Sequence, residues 1–203
     1  MAYEIAKRIF DIVASLFAIL IALPLMIVIL IAIRLGSPGP AIFRQQRAGK
    51  NGAPFTLLKF RTMRTDVDPF GPSPKSGQDQ RLTGIGKVLR EWSLDELPQL
   101  FNILSGRMSL VGPRPLYRSQ MAEWDSTQRR RLEVKPGLTG LAQICGRAEL
   151  TLEEKLALDV EYVDKRSFRL DLKILCMTLG QLVGRRNIYE KRYSRKQTTR
   201  NEG

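Results

Sequence analysis

The chain has no histidine among its 203 residues. That absence removes imidazole acid/base chemistry, histidine-based triads and most zinc sites. Its two cysteines, Cys145 and Cys176, lie far apart and outside any Cys-x-x-Cys spacing, so neither a redox motif nor a disulfide framework is expected. Aromatic residues make up only 7%, and they are not interleaved with basic clusters as in a stacking module for nucleic acid. Acid is in short supply too: 20 Asp+Glu stand against 33 Lys+Arg, a formal charge of +13. Such a balance points to polyanionic partners, namely an anionic membrane, phosphorylated substrates or nucleic acid.

What the chain has in abundance is one apolar run. Ile12 to Ile33 carries no charge, and Ser15 is its only hydroxyl or amide side chain. Roughly 20 apolar residues suffice for a helix to cross a hydrocarbon core. The run exceeds the apolar region of a signal peptide and ends in Arg34-Leu35-Gly36-Ser37-Pro38 rather than at a small-residue cleavage site. All but two of the 33 basic residues follow it, so the bulk of the protein is expected on the cytoplasmic side. Lys7 and Arg8 at the other end would be disfavoured across the membrane. Pro24, near the middle, removes a backbone donor and predicts a break. Re-entry through the same leaflet and full spanning both fit the residues alone.

Three units follow: a membrane anchor over 1–36, a catalytic domain over 37–183, and a basic, mobile tail over 184–203. Within the domain, Ala41–Arg47 and Pro54–Phe60 flank an Asn51-Gly52 turn and predict a β-hairpin. Thr65–Gln80, rich in Pro and Gly, reads as a long loop, either a lid or disordered. Helices are expected near Ile85–Trp92, Leu97–Leu104 and Met121–Glu133, from Thr151 with its Thr-Leu-Glu-Glu capping box, and over Phe168–Val183. The last has enough apolar surface either to pack in a core or to lie in a membrane interface. The fold class is therefore α+β, mainly α: a Pro-broken membrane helix, re-entrant or spanning on these residues and re-entrant by the family resemblance given below, a helical domain with a small hairpin, and interfacial amphipathic helices.

The chemistry centres on Ser93-Leu94-Asp95-Glu96-Leu97-Pro98. Ser93 and Glu96 form a capping-box pattern, which would put Asp95 in the first helical turn, where the dipole favours its ionised form. Pro98 offers a second register, with the helix starting at Leu97. Two adjacent carboxylates at a helix entrance could be caps and no more. An ionised, partly desolvated carboxylate is also a usable nucleophile toward phosphorus. Gly84-Ile85-Gly86 has no preceding strand and is too weak for a nucleotide loop.

Five stretches occur in order: Lys59-Phe60-Arg61-Thr62-Met63, Arg90, the Asp95-Glu96 segment, Ser109-Leu110-Val111-Gly112-Pro113-Arg114-Pro115 and Pro136-Gly137-Leu138-Thr139-Gly140. Together they resemble the bacterial sugar transferases, the monotopic phosphoglycosyl transferases, and the likeness runs from the anchor to about residue 183. The resemblance implies transfer of a sugar-1-phosphate from a UDP-sugar to a polyprenol phosphate such as undecaprenyl phosphate, with release of UMP and a requirement for Mg2+. It implies Asp95 as nucleophile and Glu96 as acid/base helper, with either carboxylate associated with the metal. Lys59, Arg61, Arg90, Arg114 and Arg147 become candidates to hold phosphate oxygens, Pro24 the membrane break, and Asp171 a lesser site candidate. The implied setting is the cytoplasmic face of the bacterial inner membrane, at the start of a lipid-linked glycan, with downstream glycosyltransferases consuming the product. A homo-oligomer is left open, and no nucleic acid partner is expected. Leu23 stands where many members have serine before the proline, Ala48 replaces a common proline, Lys135 a frequent arginine and Cys145 a frequent asparagine. These departures leave the choice of sugar open. A membrane-tethered nucleic-acid binder and a non-catalytic scaffold are the rival classes; both predict that Asp95→Asn changes no activity.

Overall fold

The computed structural model describes residues 2–68, 74, 77–146 and 149–184. Residues 69–73, 75 and 76 of the 65–80 loop lie outside that set, as do Arg147 and residues 185–203 of the basic tail.

Helix α1 (Ala2–Gly36), of 35 residues, is the longest element among the described residues. Asp11, Ser15, Ile19, Met26, Ile29 and Ile33 are its buried residues, spaced three, four or seven apart so that they form one stripe. The opposite face leaves Ile9, Val13, Phe17, Leu20, Ile21 and Val28 exposed, each by more than half. Pro24 sits inside the helix, and the helical span continues past it. Packing holds α1 to the body on both sides of Pro24. On the N-terminal side Ile19 joins Leu57, Ile103, Met108 and Ile174 in one apolar cluster, and on the C-terminal side Met26, Ile29 and Ile33 meet Ala41, Phe60 and Leu89 in another.

Polar bonds fasten both ends of α1 to the same body. Tyr3 and Lys7 donate to Asp171 at 2.9 and 2.7 Å. Arg8 donates to the carbonyls of Ile103 and Leu104, and buried Asp11 accepts from the Leu110 amide at 3.0 Å. At the far end Arg61 grips the carbonyls of Ser37 and Pro38.

The predicted hairpin is present as β1 (Ile42–Ala48) and β2 (Pro54–Phe60), antiparallel in the register Ile42↔Phe60 to Ala48↔Pro54. Asn51 and Gly52 both take positive φ, as an Asn-Gly reversal requires. Helix α2 (Gly84–Glu91) is capped by the Thr83 side chain, which accepts from the Gly86 amide at 2.9 Å. A Cβ on Gly86 would stand 1.9 Å from the Thr62 carbonyl oxygen. The Gly-Ile-Gly sequence is thus a packing contact between α2 and the residues leaving β2.

Helix α3 (Gln99–Leu104) follows, then β3 (Ser109–Val111), α4 (Ser126–Arg129), β4 (Gly137–Thr139) and α5 (Leu141–Cys145). Strands β3 and β4 pair in parallel, Ser109↔Gly137 and Val111↔Thr139. Residues 121–133, expected as one helix, are broken: 3-10 turns over Arg118–Glu123 and Arg130–Glu133 flank the four-residue α4. Asp125 interrupts the run by capping α4 through a bond from the Gln128 amide. Helix α6 (Leu152–Lys165) starts at the Thr151 capping box as predicted. Helix α7 (Phe168–Gly184) buries Asp171 and Ile174 and exposes Phe168, Leu172, Met177 and Leu179. It therefore has a core face and an outward apolar face.

Candidate active site

The two carboxylates lie on a 3-10 turn, Leu94–Glu96, between α2 and α3. The capping box read from Ser93 and Glu96 is not made. Ser93 is left-handed (φ 55°) and caps nothing, while α3 begins after Pro98, closer to the second register. Glu96 is drawn elsewhere because two cations lie within reach. It accepts from Lys59 Nζ at 2.8 Å and from both terminal nitrogens of Arg114. Charge-assisted bonds of this kind outweigh a capping bond to a neutral amide.

Asp95 is treated differently. Its side chain is buried, and Lys59 Nζ lies 3.7 Å from Oδ2, longer than a hydrogen bond. Burial pushes the Asp95 carboxyl above the usual aspartate range; Lys59 opposes that push, and the neighbouring Glu96 charge adds to it. The dipole-favoured, low-pKa Asp95 expected from the sequence is therefore overturned by desolvation. Burial would raise Glu96 as well, but Arg114 and Lys59 hold it well below the usual glutamate range. One carboxylate of the pair is clamped and ionised. The other is desolvated and loosely partnered.

Each cation is positioned by its own element. Lys59 comes from β2, held by Asn102, which accepts from the Leu58 amide at 3.0 Å and donates to the Thr56 carbonyl at 2.8 Å. Arg90 of α2 donates through Nε to Thr62 Oγ1 at 3.0 Å, and its charge favours ionised Asp95. Arg114 follows β3 on a turn fixed from two sides. Gly112 N bonds Thr139 O, Gly137 N bonds Pro113 O, and Arg131 Nη2 donates to the Arg114 carbonyl at 2.6 Å. A Cβ on Gly137 would lie 2.1 Å from Gly112 N, so this approach needs glycine.

The structure thus gathers Lys59, Arg90, Asp95, Glu96 and Arg114. It does not bring Arg61 to them as a phosphate ligand. Both terminal nitrogens of that guanidinium bond Ser37 and Pro38, and the residue is buried at the α1–β1 junction. Asp171 also stands apart, partnered by Tyr3, Lys7 and Tyr162. Arg147 lies outside the described residues.

Two contributors were missed by sequence reasoning. Arg131 forms a buried pair with Asp159 (2.7 Å), stacks over Trp124 and supports the Arg114 backbone. Asn102 supports Lys59. A lone Arg and Asp separated by 28 positions carry no local signal, and the asparagine sits unmarked in an apolar helix. Asp95 and Glu96 form the acidic pair of the site. Magnesium accepts one or two carboxylates when substrate phosphates supply the remaining ligands, so this donor set fits it.

The bacterial sugar transferase family matches residues 2–185. The uncharacterized sugar transferase EpsL of Bacillus subtilis is 46% identical over 179 residues, covering 88% of this chain and 88% of that protein. The UDP-glucose:undecaprenyl-phosphate glucose-1-phosphate transferase of Caulobacter vibrioides is 41% identical over 203 residues, 93% of this chain and 74% of the relative. The transferase of the same name from Escherichia coli K12 is 39% identical over 184 residues, covering 87% of this chain but 40% of its own length.

Proposed function

The chain belongs to the bacterial sugar transferase family, and on that premise we propose that it moves a sugar-1-phosphate from a UDP-sugar to undecaprenyl phosphate, releasing UMP and starting a lipid-linked glycan. The observation that carries the reading is the unequal carboxylate pair: Asp95 buried and loosely held, Glu96 clamped between Lys59 and Arg114. Asp95 Oδ attacks the β-phosphorus of the donor. The bond from that phosphorus to the bridging oxygen breaks, UMP leaves with the electron pair, and a phosphosugar remains on the aspartate. An oxygen of the lipid phosphate then attacks the same phosphorus and returns Asp95 as carboxylate. Neither nucleophile needs a strong base, which suits a chain without histidine.

Arg90, Arg114 and Lys59 orient the diphosphate and offset charge as it moves to the leaving oxygen. Glu96 fixes two of these cations in place. Asp95 and Glu96 are the residues that would hold Mg2+, which when bound would neutralise phosphate charge. Glu96 already spends its oxygens on cations, so Asp95 is the freer ligand.

The membrane completes the proposal. The outward faces of α1 and α7 are lipid-facing, and because both ends of α1 are fastened to one body, the helix enters and leaves by the same face. The positive balance assigns that face to the cytoplasm. A soluble nucleotide sugar and a lipid-borne phosphate then meet at the inner-membrane surface. Labelling of Ala2→Cys in spheroplasts tests the topology: reaction with an impermeant maleimide added outside would overturn it.

The reaction test is UMP release from a panel of UDP-sugars with undecaprenyl phosphate and Mg2+, with UDP-glucose first because two relatives carry it in their names. Release that requires the lipid and is lost in Asp95→Asn is the expected result, with the phosphosugar adduct on Asp95 visible by mass spectrometry when lipid is withheld. Full activity in Asp95→Asn would exclude the mechanism.

A further inference from the structure

A small cleft opens between the first turns of α1, the β1–β2 turn, β3 and the segment entering β4. Five cationic side chains and two acidic ones line it. Most of the acid is already committed. Asp11 accepts from the Leu110 amide, Glu4 faces Arg166 at 3.5 Å, and Lys7 is neutralised by Asp171. That leaves Arg8, Lys50 and Lys135. Arg8 bonds only main-chain carbonyls, at the end of α3. Arg8 Nη2 and Lys135 Nζ stand 3.2 and 3.7 Å from where a side chain on Gly106 would begin, so two cations share one small volume. Burial and the Arg8 charge push the Lys135 ammonium below its usual value, against the opposing charges of Asp11 and Glu4.

An independent observation lies in the wall. Ser109 is 1% exposed, and its Oγ has no hydrogen-bond partner although it lines this cleft. A buried hydroxyl without a partner costs stability unless something supplies one. Crowded cations and an unmet donor converge on the same missing group, an oxyanion.

The site is separate from the acidic pair. Arg8 caps the C-terminal end of α3, whereas Asp95 precedes its N-terminal end, and the six residues of α3 between them span about 9 Å at 1.5 Å per residue. Ile5 and Ile9 on the same turns of α1 are 57% and 58% exposed, on the face of the helix turned away from the cleft.

We propose that this cleft is an auxiliary phosphate-binding site, in which Lys135, Lys50 and Arg8 bind the phosphate oxygens and Ser109 donates its hydroxyl. The phosphate group can belong to a membrane phospholipid headgroup or to a soluble phosphate. The inference does not depend on the reaction proposed above.

The full-length protein tests it in two arms, with wild type compared against the Lys50→Gln/Lys135→Gln double variant and against Ser109→Ala. One arm titrates inorganic phosphate into detergent-solubilised protein and follows thermal stability. The other measures phosphatidylglycerol retained by the protein in native mass spectra after release from nanodiscs. Loss of both charges is expected to weaken binding about tenfold or more, and loss of the hydroxyl by a few-fold. An effect confined to the lipid arm assigns a headgroup, and one confined to the phosphate arm assigns a soluble ligand; either supports the site. Circular dichroism and UMP release should be unchanged within about twofold in all three proteins, because none of these residues touches the Asp95 cluster. Equal binding by wild type and double variant in both arms would overturn the proposal.

Discussion

Two of the four buried aspartates among the described residues, Asp95 and Asp171, are partnered in opposite ways. Asp171 is 3% exposed and accepts from Tyr3, Lys7 and Tyr162 at 2.9, 2.7 and 2.8 Å. Asp95 is 6% exposed, and its nearest cation is 3.7 Å away. Similar burial yields opposite roles. The well-partnered carboxylate accepts on both oxygens, with three of its roughly four acceptor sites filled, and joins α1, α6 and α7. The under-partnered one keeps its oxygens available and carries the cost of desolvation that its partners do not offset. Degree of satisfaction, more than burial, separates a structural acid from a reactive one here.

That contrast is broken most directly at Asp95. Asp95→Asn should lower UMP release by about 10³-fold or more while leaving the melting temperature equal or higher, because a neutral amide removes the desolvation cost. Both quantities can be read on one preparation. A melting temperature several degrees lower would mean that Asp95 is a scaffold residue. Asp171→Asn should do the reverse. Breaking its pair with Lys7 is expected to cost about 3 kcal/mol of stability, with the specific activity of the folded fraction largely kept. Equal loss of activity per folded molecule would draw Asp171 into the chemistry.

Glu96→Gln probes the coupling between the two kinds of acid. Releasing Lys59 and Arg114 should reduce kcat by about 10- to 100-fold. The pH profile gives the finest test. Activity requires ionised Asp95, so kcat/KM should rise with pH through a limb lying above the ordinary aspartate value, because burial raises that pKa. The Glu96 charge contributes to the raise. Its removal should therefore move the limb to lower pH, provided the released cations stay near Asp95. A limb that moves upward instead would mean that Lys59 and Arg114 had left the site with Glu96.

Much of this arrangement was legible before any coordinates. The hairpin follows from alternating strands about Asn51-Gly52, α6 from its Thr151 box, and the cluster of Lys59, Arg90, Asp95, Glu96 and Arg114 from the order of five stretches. Those features are local, or repeat a known order. Arg61 was misread because a basic residue in a motif shows its charge and not its partner: main-chain carbonyls at the end of α1 claimed it first. The Ser93 box failed because capping is a weak local bond, and Glu96 found two cations brought by distant elements. The β3–β4 pair, three residues a side and parallel, has no turn to announce it. Arg131 with Asp159 was invisible for the same reason, since nothing near either residue points to the other.

The docking of α1 along the whole body also orders events in time. Its N-terminal turns are bonded to groups up to 168 positions later in the chain, so these contacts have among the longest loop closures available to the protein. A ribosome delivers α1 long before Asp171 exists. Through that interval Lys7, Arg8 and Asp11 lack their native partners, and the apolar stripe lacks its floor. Helix α1 is made before its partners and is among the last segments to reach its native contacts. Holding α1 in the bilayer while the rest is synthesised would shield its apolar surface from aggregation, with the closing of Lys7 onto Asp171 as a late step of assembly.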